Sequence, residues 1–152
     1  MNVISGKASL IPAMKAVLDT SVYISMLLSP RGAGAWLMAL WSEERYELVI
    51  SPELFAEFVE VSNQPEIKTR IDPQRKLAFF RRLRQGAIWT TGAIEAQGLL
   101  ADPQDDFLMS AALEAEAEFI VTWDSLLLDQ KNCQGVKILS PDQFISLVIR
   151  MR

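Results

Sequence analysis

The chain has 152 residues, a formal net charge of −4 and a composition that is half hydrophobic, which is typical of one globular domain with a sizeable core rather than of a disordered polypeptide. It contains no histidine and a single cysteine, Cys133, so Ser-His-Asp hydrolysis, Cys-His thiol catalysis, His- or thiolate-ligated zinc and an internal disulfide are all excluded. Any hydrolytic chemistry must therefore depend mainly on carboxylates, which prefer hard cations such as Mg²⁺ or Mn²⁺.

The two ends of the chain are expected to differ in order. Met14 directly precedes the first predicted strand and could be the functional start, so residues 1–13 are predicted to be an N-terminal extension or a weakly ordered tail. Residues 14–152 are predicted to form a single domain. The lone cysteine, the lack of a signal-peptide pattern and the lack of an apolar run of about 18 residues favour a cytoplasmic protein.

Short apolar runs alternate with helical patterns along the chain. Ser51-Pro52, Asp72-Pro73 and Ser140-Pro141 each pair a capping residue with a proline at the first helical position. The predicted strands are 15–19, 47–50, 87–91, 118–122 and 136–139, and the predicted helices end near 28, 43, 61, 70, 84, 117, 129 and 150. This alternation predicts a three-layer α/β/α sandwich with a central, mostly parallel sheet.

Four carboxylates are predicted to meet at one edge of this sheet. Asp19 and Asp124 each follow a predicted strand, and the carboxyl ends of parallel strands share an edge. Asp106 begins a helix, where the helix dipole favours a negative charge. Glu57 lies between the apolar stripe of its helix and the polar side, so it is expected to point inward at an angle, which is costly without a partner. A metal ion would supply that partner.

Each carboxylate also has a simpler interpretation. Asp106 and Asp124 could only cap helices, Asp19 could be a turn residue, and Glu57 could extend to solvent. Asp105 adjoins Asp106 and could replace it in the site. Clustered carboxylates raise one another's pKa, and a bound cation relieves this repulsion while it activates water for attack on a phosphodiester. One ion or two would satisfy the pattern.

Basic residues are concentrated in one short segment, which is either a solvated helix face or a ridge that faces phosphates beside the acidic site. The segment contains Lys68, Arg70, Arg75, Lys76, Arg81, Arg82 and Arg84.

Four motifs, in this order, resemble the PIN domain, and they are most similar to toxin components of bacterial toxin–antitoxin systems related to VapC. The motifs are Val17-Leu18-Asp19-Thr20-Ser21, Ser51-Pro52-Glu53-Leu54-Phe55-Ala56-Glu57, Asp102-Pro103-Gln104-Asp105-Asp106-Phe107-Leu108 and Phe119-Ile120-Val121-Thr122-Trp123-Asp124. The resemblance covers roughly residues 14–149.

The resemblance implies an Mg²⁺- or Mn²⁺-dependent endoribonuclease that forms a homodimer and is neutralised by a small antitoxin protein. The catalytic and metal-binding positions of the family match Asp19, Glu57, Asp106 and Asp124. Thr20 and Thr122 match its supporting hydroxyl positions, and the basic segment would then bind the RNA backbone, across a dimer if necessary.

Two positions depart from the family pattern. Ser21 stands where the family usually has asparagine. Serine keeps a polar hydroxyl group but lacks the side-chain amide. Trp123 replaces a small residue before the last aspartate, so it either narrows the cleft or offers a face for base stacking. Both changes affect specificity more than chemistry, because neither removes a carboxylate.

Two rival functions remain open. A phosphatase of the haloacid-dehalogenase kind would use Asp19 as nucleophile, but its second aspartate is replaced by Ser21 and Lys131 is a poor match for its lysine. A catalytically degenerate PIN-fold module would bind RNA or a protein without cutting, although all four acidic positions are filled.

Overall fold

A computed structural model describes residues 14–151; the expectation for residues 1–13 lies outside this range. The strands are Lys15–Leu18 (β1), Glu47–Ile50 (β2), Ile88–Trp89 (β3), Phe119–Val121 (β4), Asn132–Cys133 (β5) and Val136–Leu139 (β6). The helices are Thr20–Leu28 (α1), Ala33–Ser42 (α2), Pro52–Ser62 (α3), Pro65–Lys68 (α4), Pro73–Gly86 (α5), Asp106–Ala115 (α6), Ser125–Gln130 (α7) and Pro141–Arg150 (α8).

The six strands form one sheet in the order β3-β2-β1-β4-β6-β5. All neighbouring pairs are parallel except β5 and β6, which form an antiparallel edge. Helices flank this sheet, so the predicted three-layer α/β/α sandwich is confirmed. No helix between Met14 and Met151 is long and apolar enough to cross a membrane.

β1 lies at the centre of the sheet because its apolar run can be covered on both faces. Ala16, Val17 and Leu18 are fully buried. Val17 is paired with Val49 of β2 on one side and Ile120 of β4 on the other. The residues that follow β1 and β4 therefore emerge side by side at the carboxyl edge of the sheet.

Aromatic packing holds α1 against α3 below the carboxyl edge of the sheet. Tyr23 of α1 stacks on Phe58 of α3 with ring centroids 5.2 Å apart, and both side chains are fully buried. The contact sets the two helices in register. It brings Thr20, the first residue of α1, next to Glu57 on α3.

Several elements differ from the predicted bounds by one or two residues, among them β3, which covers only Ile88–Trp89 of the predicted 87–91, and three further differences have a physical reason. β5 was not predicted, because two residues carry no periodicity and the strand depends on the hairpin turn that follows it. A 3₁₀ turn, Pro103–Asp105, precedes α6. α6 ends at Ala115 rather than 117 because Glu116 adopts a left-handed conformation (φ 56°).

Candidate active site

Asp19 sits at the carboxyl end of β1 and caps α1, held by three donors. Its Oδ1 accepts hydrogen bonds from the Ser21 hydroxyl (2.7 Å) and from the backbone N–H of Val22 (3.3 Å). Its Oδ2 accepts a hydrogen bond from the hydroxyl of Thr122, the residue that follows β4. Side-chain hydrogen bonds thus join two adjacent strand ends, and they fix the orientation of this carboxylate.

Thr122 is the buried link of this group. Its side chain has no exposed surface, and its hydroxyl accepts a hydrogen bond from the backbone N–H of Asp124 (3.0 Å) while it donates to Asp19. Asp124 is exposed and caps α7, because its Oδ1 accepts from the N–H of Leu126 (2.9 Å). The capping role proposed for Asp124 is therefore compatible with a place in the site.

Glu57 contacts the site from α3 but is exposed. Its Oε2 accepts a hydrogen bond from the hydroxyl of Thr20, which is buried (2.6 Å). Leu54 and Phe58 form the buried apolar stripe of the helix. The exposure removes the expected cost of an inward-pointing charge, so a metal ion is not required to explain why Glu57 stands here.

Asp105 faces the other carboxylates. Partial burial, followed by the negative charges of Asp102, Asp124, Asp19 and Glu57, raises its pKa from 3.8 to about 6. A carboxyl group feels such repulsion only when the other charges lie nearby. Asp102 caps the turn that precedes Asp105. The other carboxylates within electrostatic range of Asp105 are Asp19, Glu57 and Asp124, and we call these four residues the acidic group.

Asp106 points elsewhere, although the sequence pattern favoured it over Asp105. Its Oδ2 accepts a hydrogen bond from the backbone N–H of Gly98 (3.2 Å), and its Oδ1 is buried without a partner among residues 14–151. Asp106 is thus directed at the loop that precedes α6, and these contacts do not join it to the acidic group.

Two further residues of α6, Ser110 and Glu114, hold the same loop, and neither was predicted. The Ser110 hydroxyl accepts from the N–H of Ala96 (2.8 Å). The Glu114 carboxylate accepts from the N–H groups of residues 91, 92 and 93 and from the Thr91 hydroxyl, and these bonds, led by the Thr91 amide, lower its pKa. They lie four and eight residues after Asp106, which places all three side chains on one helix face. This spacing is the one feature of the sequence that could have identified Ser110 and Glu114.

The donor set of the acidic group fits a hard divalent cation, since it consists of carboxylates and hydroxyls. Within residues 14–151, however, no three Asp, Glu or Cys side chains are grouped closely enough to ligate one ion directly. This spacing suits Mg²⁺, which usually binds through one or two carboxylates and retains several water molecules.

Three residues of the basic segment make contacts away from the acidic group. Arg75 Nη2 lies 3.5 Å from the carbonyl of Met26, about 10 Å along α1 from Asp19. Lys76 donates to Asn63 (2.7 Å) at the C-terminal end of α3. Arg82 donates to Ser42, the last residue of α2 (2.8 Å), and its guanidinium lies over the ring of Trp41 (4.5 Å). These contacts are made at helix ends remote from the carboxyl edge of the sheet.

The raised pKa of Asp105 predicts a stability effect in metal-free protein. Because the folded pKa of about 6 exceeds the unfolded value, ionisation of Asp105 destabilises the fold as pH rises from about 4 to about 6, and the full cost applies above that range. Asp105→Asn should therefore increase the free energy of unfolding at pH 7 but not at about pH 3.5. Denaturant titrations in chelator check this; an equal change at both pH values would contradict it.

Comparison with known proteins agrees with this architecture. The family model of the PIN domain, a fold that is generally nucleolytic and typically binds divalent metals, matches residues 15–126. No curated protein matches the chain. The match spans the sheet core and all the carboxylates described above, and the chain therefore belongs to the PIN domain family.

Proposed function

We propose that this PIN domain is an endoribonuclease that hydrolyses RNA phosphodiester bonds with Mg²⁺ or Mn²⁺ bound at the acidic group, directly by one or two of Asp19, Glu57, Asp105 and Asp124 and through water molecules by the others. The observation that carries the proposal is the hydroxyl network at the carboxyl edge of the sheet, in which Thr122 links Asp19 to the backbone of Asp124 and Thr20 holds Glu57. Burial, followed by the neighbouring negative charges, also raises the pKa of Asp105 to about 6, and a bound cation would relieve that cost. Asp105 replaces Asp106 in this assignment because Asp106 is engaged with the loop before α6.

The bound ion would supply a Lewis acid and an activated water for in-line attack on the phosphodiester. The chain's own residues hold the acidic group in place for this chemistry. Ser21 and Thr122 fix the two oxygens of Asp19, and Thr20 fixes Glu57. Ser21 thus supports the site through its hydroxyl, although the family usually has asparagine there. This orientation by hydroxyl groups needs no histidine.

The substrate is proposed to be single-stranded RNA. Trp123 and Leu126 flank Asp124 in the chain and are 43% and 56% exposed. An exposed indole beside the acidic group offers a stacking face for an unpaired base. The basic segment has several exposed arginines, so it is proposed to bind RNA backbone that extends beyond the site or comes from a second protomer.

The biological setting is a separate proposal. The resemblance of the four ordered motifs to VapC-related proteins supports a cytoplasmic toxin that forms a homodimer and is neutralised by an antitoxin protein.

Cleavage of a generic single-stranded RNA tests the enzymatic proposal. The wild-type protein should cut with Mn²⁺ or Mg²⁺ and not with chelator. Asp19→Asn, prepared in parallel, should lose the activity, which excludes a contaminating nuclease. The matched control is Asp129→Asn, an exposed aspartate of α7 that does not contact the acidic group.

The outcomes separate the enzyme from its main rival. Metal-dependent cleavage that Asp19→Asn removes and Asp129→Asn retains supports the proposal. Mn²⁺ binding without cleavage of any RNA supports a site that is specific for a narrow substrate or is held inactive. The absence of both cleavage and Mn²⁺ binding would overturn the enzymatic proposal and favour a degenerate binding module.

A further inference from the structure

A cleft of about 420 Å³ opens beside the acidic group, between the loop 90–98 and α6. Its walls combine apolar side chains, among them Ile94 and Phe107, with Glu53, Glu95 and Asp106. A volume near the lower end of the range for small-molecule sites suits one planar group rather than an extended chain.

The loop wall of the cleft is formed in advance. Asp106, Ser110 and Glu114 lie at positions i, i+4 and i+8 of α6 and accept hydrogen bonds from backbone N–H groups between residues 91 and 98. The loop has no regular secondary structure, yet side chains of the helix satisfy much of its backbone. A wall fixed in this way lowers the ordering cost of binding.

These bonds also determine which polar groups are left for a ligand. The backbone N–H groups of Gly92, Ala96 and Gly98 already donate to side chains of α6. The carboxylates of Glu53 and Glu95 are exposed, and Asp106 Oδ1 is buried without a partner among the described residues. The cleft therefore combines these carboxylate acceptors with the polar side chains of Thr90 and Gln97, and a planar ligand that supplies N–H donors would match the carboxylates.

The position of the cleft relates it to the acidic group through two pairs of residues. Glu53 lines the cleft and Glu57 belongs to the acidic group, and the two lie one helical turn apart on the same face of α3, about 5–6 Å between Cβ atoms. At the start of α6, Asp106 likewise lines the cleft, and its neighbour Asp105 belongs to the acidic group. A group in the cleft would thus lie next to a phosphate bound at the acidic group.

We propose that this cleft is a nucleobase subsite that selects guanine in the RNA next to the cleaved phosphate; the inference rests on the proposed ribonuclease function. Among the RNA bases, guanine alone presents two adjacent donors, N1–H and the 2-amino group, to one carboxylate. Its ring would pack on Ile94 and Phe107. Unstacked bases in single-stranded RNA are read in this way, by stacking and by hydrogen bonds to their edges.

Nucleoside binding tests the subsite without catalysis or metal. Guanosine, added to ¹⁵N-labelled protein in chelator, should shift the amide signals of Gly92, Ala96 and Gly98. Inosine lacks the 2-amino group and should bind about ten-fold more weakly, because one hydrogen bond to a charged acceptor is lost. Uridine should leave these amides unshifted. Equal shifts from all nucleosides would overturn the selection of guanine.

Paired variants assign the effect to the cleft. Glu53→Gln combined with Glu95→Gln should weaken guanosine binding about ten-fold or more. Glu60→Gln, an exposed glutamate of α3 outside the cleft, should bind as the wild type does. If the double variant binds guanosine normally while its spectrum shows an intact fold, the proposal is wrong.

RNA cleavage separates failure of the subsite from failure of the enzyme. A uridine-rich RNA with one guanosine should be cut beside it, and inosine at that position should slow cleavage about ten-fold. Cleavage without base preference and without guanosine shifts overturns the subsite alone, whereas guanosine binding without cleavage and without Mn²⁺ binding overturns only the nuclease. If N-acetylarginine amide shifts these amides and guanosine does not, the cleft takes a cationic protein side chain and the subsite is overturned.

Discussion

Asparagine at position 105 should slow RNA cleavage by about 100-fold or more, whereas asparagine at position 106 should slow it no more than a few-fold. The two residues are adjacent and chemically identical, but Asp105 shares the negative field of Asp19, Glu57 and Asp124, and Asp106 accepts a hydrogen bond from Gly98. Asp105→Asn removes a charge that would balance the cation. Asp106→Asn keeps a side-chain oxygen that can still accept from Gly98.

The measurement is kcat/KM on a single-stranded RNA with Mn²⁺, together with Mn²⁺ affinity for each variant. Hydrogen exchange at the Gly98 amide supplies a second readout, which should change only when the position-106 acceptor is removed, as in Asp106→Ala. The reverse order, with Asp106→Asn more damaging than Asp105→Asn, would restore the assignment that the sequence pattern favours.

The choice between these two aspartates shows where sequence reasoning stops. The apolar runs of β1 and β2 and the Ser-Pro and Asp-Pro helix starts are local signals, so those elements follow from the sequence closely. The direction of a side chain at a helix start changes by about 100° per residue. Here a 3₁₀ turn, Pro103–Asp105, sets that direction, and the periodicity of the sequence does not predict such a turn.

The basic segment illustrates a second limit of a different origin. Its charge is plain in the sequence, and the start of α5 is well signalled by Asp72-Pro73. Its place depends on the long-range contacts that bind Arg75 to α1 and Arg82 to α2, residues more than 35 positions away in the chain. These contacts hold Arg75 and Arg82 away from the carboxyl edge, and such long-range contacts cannot be inferred from composition.

Glu57 shows how the physical reason given for a residue's position can be wrong. Helical periodicity placed it at the border of the apolar stripe, and burial was expected to demand a cation. The side chain is exposed, and its partner is the Thr20 hydroxyl. Its link to the site therefore arises from the packing of Tyr23 on Phe58, a tertiary contact that sets α1 beside α3.

Thr122→Val should lower kcat by about 10- to 100-fold and destabilise the protein by about 1–3 kcal/mol. Valine has nearly the shape of threonine, so packing around this fully buried position is kept. The change removes the donor to Asp19 Oδ2 and the acceptor of the Asp124 amide at once. Asp19 then loses one of its orienting contacts, and the strand ends of β1 and β4 lose their side-chain link.

Thr122→Ser is the matched control, since it restores the hydroxyl without the methyl group. It should recover most of the activity while it keeps a small packing loss, and Mn²⁺ affinity should follow activity across the three proteins rather than stability. Rates are compared well below the unfolding temperature of Thr122→Val, so that the folded fraction is the same. If Thr122→Val and Thr122→Ser lose activity equally, packing of the methyl group matters at this position, and the hydroxyl bridge to Asp19 does not support catalysis.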